Sequence, residues 1–113
     1  MRILIVDDSS IMRKMVRKTL EGGDHTIVGE AKNGKEAVKL YPLCQPDMVT
    51  MDITMREMDG FQAAREILKF DKDAKIIFLS NLDKDTYSGD AEKLGAVGYV
   101  NKHRSKDILA LIG

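Results

Sequence analysis

"LIVDDSS", residues 4–10, runs an apolar triplet straight into two adjacent carboxylates and two hydroxyls. Leu4, Ile5 and Val6 have the unbroken apolarity of a strand buried on both faces, which belongs in a parallel sheet covered by helices. Asp7 and Asp8 follow at once. Like charges repel, and the end of a buried strand is a poor place for them unless they hold something.

Working outward, four more apolar segments resemble the first: 25–31 "HTIVGEA", 47–52 "DMVTMD", 75–80 "KIIFLS" and 97–101 "VGYVN", with the first read as 2–7 "RILIVD". Helical spacing fills the gaps. Over 9–21, Met12, Val16 and Leu20 step by four with Met15 beside them, Ser9 or Ser10 offers an N-cap, and Gly22-Gly23 ends the helix. Over 33–44, Ala37, Val38 and Tyr41 share a face, and Pro42 is expected to end or kink the helix because it lacks the N–H. Over 60–69, Phe61, Ala64, Ile67 and Leu68 form an apolar stripe. The segment 84–95 is a weak helix, with "DTYSGD" and Gly89 inside it, and 105–112 is barely two turns. Strand and helix alternating five times predict an α/β domain. The expected architecture is a doubly wound, flavodoxin-like parallel sheet of order 2-1-3-4-5, one domain over 1–113.

The chain of 113 residues suits a single domain with one core of its own. Lys+Arg and Asp+Glu are 18 each, so the formal charge is zero and there is no basic footprint for nucleic acid. The longest apolar runs, "IIFL" and "ILALI", are too short for membrane insertion. Cys44 is the sole cysteine, which excludes an intramolecular disulfide and suits a cytoplasmic protein.

In the predicted order, strands 1 and 3 are neighbours and ligands sit beyond their carboxyl ends. Strand 1 ends at Asp7-Asp8, strand 3 at Asp52, strand 4 at Ser80 and strand 5 at Lys102. Two carboxylates about 4 Å apart repel by roughly 4 kcal/mol at an effective dielectric of ~20. Three such pairs approach the ~5–15 kcal/mol stability of a small domain, so the site must take up protons or bind a cation. Hard carboxylate oxygens without His or Cys favour Mg²⁺, Mn²⁺ or Ca²⁺. With Lys102 and Ser80 on the same rim, the set suits phosphoryl transfer to a carboxylate. Singly, each residue has a plainer reading: "DDSS" as a helix cap, Asp52 in a loop, Ser80 as a cap, Lys102 in solvent, Tyr99 in the core. The coincidence at four of five strand ends favours the functional one.

"ILIVDDSSIMRKMV", "PDMVTMDITMREMDG", "KIIFLSN" and "GAVGYVNK" together resemble the receiver domains of two-component response regulators, above all the stand-alone CheY-like chemotaxis regulators. The resemblance spans Arg2 to about Leu111. It implies that Asp52 accepts a phosphoryl group from a sensor histidine kinase, with Mg²⁺ (or Mn²⁺) held by Asp7, Asp8, Asp52 and the main-chain carbonyl of Thr54. Lys102 would bridge to the acyl phosphate, Ser80 would hydrogen-bond a phosphoryl oxygen, and Tyr99 would change rotamer with Ser80. Implied partners are the kinase, a target such as a flagellar switch component or phosphorelay partner, and a phosphatase; the protein would not be a turnover enzyme.

Three positions depart from the pattern. Arg56 replaces a proline after the acceptor and is expected in solvent. Asn81 replaces a small residue and could narrow access. His103 replaces the proline after the lysine, where a cis bond would cost about 2.5–4 kcal/mol, so a trans bond and a changed loop are expected. These motivate two alternatives, a phosphorylation-independent pseudo-receiver and a receiver fragment of a longer regulator. A phosphohydrolase of the haloacid-dehalogenase type wants D-x-D where "DIT" (52–54) stands, and a flavodoxin wants a phosphate loop that Asp7-Asp8 would repel.

Overall fold

Strict alternation along the strands sends their side chains into two separate apolar layers. Leu4, Val6, Val49, Met51, Ile76 and Phe78 enter one; Ile3, Ile5, Met48, Ile77, Leu79 and Val100 enter the other. The structure, a computed structural model, describes residues 1–80, 89 and 91–112. The strands β1 (Arg2–Val6), β2 (Thr26–Ala31), β3 (Met48–Asp52), β4 (Ile76–Ser80) and β5 (Gly98–Asn101) pair in parallel in the order β2-β1-β3-β4-β5. This is the doubly wound, flavodoxin-like sheet expected from the sequence. β1, β3 and β4 are the most buried strands, while the edge strands β2 and β5 are largely half-exposed.

The helices are α1 (Ser10–Gly22), α2 (Gly34–Cys44), α3 (Gly60–Phe70), α4, described at residues 89 and 91–93, and α5 (Lys106–Ile112). α2 and α3 cover the first layer, where Phe78 meets Phe61 at 4.9 Å between ring centroids. α1 and α5 cover the second through Val16, Leu20 and Ile108. The caps are local and polar. Ser9 Oγ accepts from the Met12 amide at 3.2 Å, and Asn33 Oδ1 from Glu36 at 2.8 Å. Asp59 and Gln62 form a reciprocal capping box at 2.9 and 3.1 Å. Each such cap contributes about 1 kcal/mol.

Two expectations are corrected. Pro42 does not end α2: it stands inside the helix, which continues to Cys44 before Gln45 turns left-handed (φ 46°). Only the final turn follows the proline, so the one lost amide bond falls where the ladder is already ending. Met15 is not on the core face; it is 46% exposed, while Val16 and Leu20 are fully buried. Asn81 and half of the weak helix 84–95 (residues 84–88 and 90) lie outside the described residues. Among the described residues no helix is long and apolar enough to cross a membrane.

Thr50 sits at the centre of β3, paired with Ile5 and Ile77, and its buried hydroxyl meets no hydrogen-bond partner among the described residues. A buried unpaired hydroxyl costs about 1–3 kcal/mol. Thr50→Val is therefore expected to raise the urea midpoint, by about 1 kcal/mol of stability at unchanged m-value.

Candidate functional site

Residues at the carboxyl ends of the strands converge on one crevice. Asp7 follows β1, Asp52 ends β3, Ser80 ends β4 and Lys102 follows β5. By alternation, Asp7, Asp52 and Lys102 continue the layer that faces α1 and α5, so all three reach the same side of the sheet. A cleft of about 450 Å³ is lined by Asp8, Ser9, Met12, Asp52, Thr54, Ser80 and Lys102. A larger groove of about 910 Å³ between α1 and α5 lies apart from these carboxylates.

The electrostatics centre on one ammonium. Lys102 Nζ stands 2.9 Å from Asp7 Oδ2 and 3.0 Å from Asp52 Oδ2, with all three side chains buried. Besides that ammonium, no donor among the described residues reaches either oxygen. Asp8 is exposed, yet one oxygen from each of Asp7, Asp8 and Asp52 falls within 4.8 Å of the others. Burial, then the charge of Asp7, pushes Asp52 up to about 7 against the opposing pull of Lys102, with Asp8 adding to the rise. Burial works against the Lys102 ammonium, but Asp7 and Asp52 overcome it and hold the lysine above its usual range. The donor set fits a hard divalent cation: clustered carboxylate oxygens, two of them buried and short of donors, with no imidazole or thiolate among them.

Backbone geometry brings α3 close to the crevice. Glu57 (φ 51°) and Met58 (φ 82°) adopt left-handed conformations in the loop after β3, and the Gly60 amide closes the loop on the Ile53 carbonyl at 2.8 Å. A Cβ on Gly60 would fall 2.2 Å from the Asp52 carbonyl oxygen, so only glycine lets α3 start there.

Of the residues singled out in the sequence, Asp7, Asp8, Asp52, Thr54, Ser80 and Lys102 come together. Tyr99 is half-buried and lines a separate groove beside Asn101, Arg104 and Leu111. Arg56 and His103 are exposed and do not line the cleft. The Lys102–His103 bond is trans, and the chain enters a 3-10 turn, Lys102–Arg104, with Asn101 Oδ1 accepting the His103 amide at 2.8 Å. Met12 and Ser9 line the cleft without having been singled out for it, and Arg13, whose guanidinium bonds the Asp7 carbonyl at 2.7 Å, was likewise not picked out. Nothing in the local sequence signals that Arg13 contact, because it depends on the turn between β1 and α1.

A doubly wound sheet with acidic groups and a lysine at its switch point defines a receiver. The chain matches the response regulator receiver domain over residues 3–112 and belongs to that family. It is 45% identical over 101 residues to chemotaxis protein CheY of Thermotoga maritima, covering 89% of this chain and 84% of the relative. It is 39% identical over 109 residues to transcriptional regulatory protein YdfI of Bacillus subtilis, covering 96% of this chain and 51% of the relative. Among solved structures it is similar to the CheX–CheY complex with BeF3 and Mg²⁺ from Borrelia burgdorferi, with TM-score 0.92 and 33% identity over 98% of this chain and 85% of the other. It is a CheY-like receiver, a signalling protein rather than a turnover enzyme.

Two outcomes follow from this geometry. Gly60→Ala forces the loop after β3 away from the Asp52 carbonyl, and thermal unfolding should show a loss on the order of 2 kcal/mol. Asp52 binds its proton more tightly folded than unfolded, so in metal-free protein its contribution to stability falls as pH rises from about 4 to about 7, then levels off. Asp52→Asn removes that fall. Its stability advantage over the unsubstituted protein should be near zero at pH 4 and reach a few kcal/mol at pH 8. Denaturant titrations at both pH values, with chelator present, check it.

Proposed function

We propose that the protein takes a phosphoryl group onto Asp52 from the phosphohistidine of a sensor histidine kinase, in a Mg²⁺-dependent reaction that resets its partner-binding surface. The observation that carries this is the buried Asp52 carboxylate at the end of the central strand β3. Lys102 stands 3.0 Å from it, and two further carboxylates lie within 4.8 Å. Asp7, Asp8, Asp52 and the Thr54 carbonyl would hold Mg²⁺. Bound there, the ion would neutralise carboxylate charge and so lower the repulsion met by an anionic phosphoryl group.

One oxygen of Asp52 then attacks phosphorus in line. The P–N bond breaks, the departing imidazole nitrogen keeps the electron pair, and an acyl phosphate forms on Asp52. Burial of Asp52 keeps competing water sparse. The Lys102 ammonium, freed from its pairing with the Asp52 carboxylate, bonds a phosphoryl oxygen. The Ser80 hydroxyl at the end of β4 donates to another. Tyr99, on the adjacent strand, responds to the movement of Ser80 and carries the change to the face formed by β5 and α5.

The similarity to proteins named chemotaxis protein CheY supports an output in chemotaxis, through a flagellar switch component, with dephosphorylation aided by a phosphatase. We place the reaction in the cytoplasm and the whole of 1–113 in one receiver domain. A phosphorelay or a longer regulator is the second reading, favoured by the YdfI match, where this chain spans 51% of the relative. The site chemistry is the same in both.

Incubating the protein with a small-molecule phosphodonor, with and without Mg²⁺, and following intact mass tests the proposal. A gain of one phosphoryl group is expected with Mg²⁺ alone and should vanish in Asp52→Ala. No gain under conditions that label an ordinary receiver would sink it in favour of a phosphorylation-independent pseudo-receiver.

A further inference from the structure

We infer that Arg13 is a positioning residue for the metal-binding carboxylates, acting through the main chain of Asp7; this rests on the Mg²⁺ reading of the site given above. The guanidinium does two jobs in one plane. Its Nη1 donates to the Asp7 carbonyl at 2.7 Å, and its Nε donates to Glu30 Oε1 at 3.2 Å. Glu30 belongs to β2, opposite Ile5 of β1, and its second oxygen is bonded by Arg17 Nη1. Arg17 in turn lies 3.6 Å from Glu21. The first two turns of α1 are thereby tied to the edge strand across the end of β1.

Asp7 is held at every polar atom. Its amide donates to Ala31 at 3.0 Å, Oδ1 accepts from the Ser9 amide at 2.9 Å, and Oδ2 faces Lys102 at 2.9 Å. The carbonyl is the remaining group, and Arg13 takes it. That carbonyl is part of the peptide linking Asp7 to Asp8, so its direction sets where the Asp8 carboxylate points. Asp8 is the exposed member of the triad, and its two partners are buried. Without the guanidinium the peptide between them is free to rock, and the three oxygens lose their common focus. Glu30 matters for a second reason. It balances the charge of Arg13, so a cation can be stationed beside the site without opposing the metal.

An ammonium cannot span two acceptors as a planar guanidinium does. Arg13→Lys should therefore behave like Arg13→Ala rather than restore function. Groups that orient metal ligands from behind change affinity by about 10–100-fold when removed. Calorimetric titration of the metal-free protein with Mg²⁺, well below its unfolding temperature, is expected to show roughly tenfold weaker binding in both variants. Glu30→Ala, which leaves Arg13 in place without its acceptor, should fall between them and the unsubstituted protein. Thermal unfolding run alongside separates positioning from packing, since a purely structural role would lower the unfolding temperature and leave the affinity of the folded protein unchanged. Unaltered Mg²⁺ affinity in Arg13→Ala, with normal binding by the unsubstituted protein, overturns this inference alone. Absence of Mg²⁺ binding by the unsubstituted protein overturns the metal reading and this inference with it. If Arg13→Ala does not fold, unaltered affinity in Glu30→Ala is the overturning result.

Discussion

One buried ammonium, Lys102 Nζ between Asp7 Oδ2 and Asp52 Oδ2, is the contact on which the rest of the architecture depends. Burying charge is costly, and removing the ammonium, which would leave both carboxylates buried without a counter-charge, is worse: about 3–5 kcal/mol. Losing Asp52, by contrast, leaves Lys102 paired with Asp7. The three groups sit after or at the ends of β1, β3 and β5, with β4 lying between β3 and β5. Their meeting therefore requires the registers of the β1–β3, β3–β4 and β4–β5 pairings to be right together. A slip of one residue in any strand would turn its charged group to the opposite face of the sheet. The two apolar layers enforce those registers, because a slip would swap side chains fitted to one layer into the other and spoil the packing of both. Packing of the core and geometry of the site are thus one constraint.

The charge count explains why the arrangement is useful rather than merely tolerable. Three carboxylates face one ammonium, and Asp52 resists ionisation through burial and the neighbouring charge of Asp7. The crevice is short of positive charge in a place that water reaches poorly. Under the proposed function, a divalent cation would make up the deficit and allow a phosphoryl group in where it would otherwise be repelled. Lys102, paired with both aspartates, would under the proposed function change partner as the charge on Asp52 changes. A local redistribution of charge at the strand ends can in this way bias the surface around β5 and α5.

Two of the departures from the usual receiver pattern, Arg56 and His103, bear less on this centre than their sequence positions suggest. Arg56 and His103 both face solvent. The loop after Lys102 is a 3-10 turn capped by the Asn101 side chain, and it delivers the lysine to within 3.0 Å of both partners without a proline. Capping replaces ring rigidity as the device that orients the turn. By contrast, the left-handed pair Glu57–Met58 and the close approach of Gly60 to the Asp52 carbonyl show where backbone conformation is most tightly prescribed.

Sequence alone determined the sheet class, the strand positions and the identity of the groups at the strand ends. Period-two alternation, unbroken apolar runs and capping residues act within a few residues of chain, so they are legible there. The same locality explains the two misreadings. Pro42 signals a break, but where a helix is already ending nothing is left to break. Met15 fits the helical stripe, yet the sheet meets α1 along Val16 and Leu20 and leaves Met15 outside. What tertiary structure decided is distance: which oxygen of which aspartate the lysine meets, how far Asp52 is driven from its ordinary ionisation, and that Arg13 and Glu30 stand behind Asp7. Apart from the Arg13–Asp7 contact across the β1–α1 turn, those outcomes depend on groups brought together from 17 to 95 residues apart, Arg13 to Glu30 and Asp7 to Lys102. No pattern along the chain encodes a contact that exists only after two strands have paired and a helix has crossed between them.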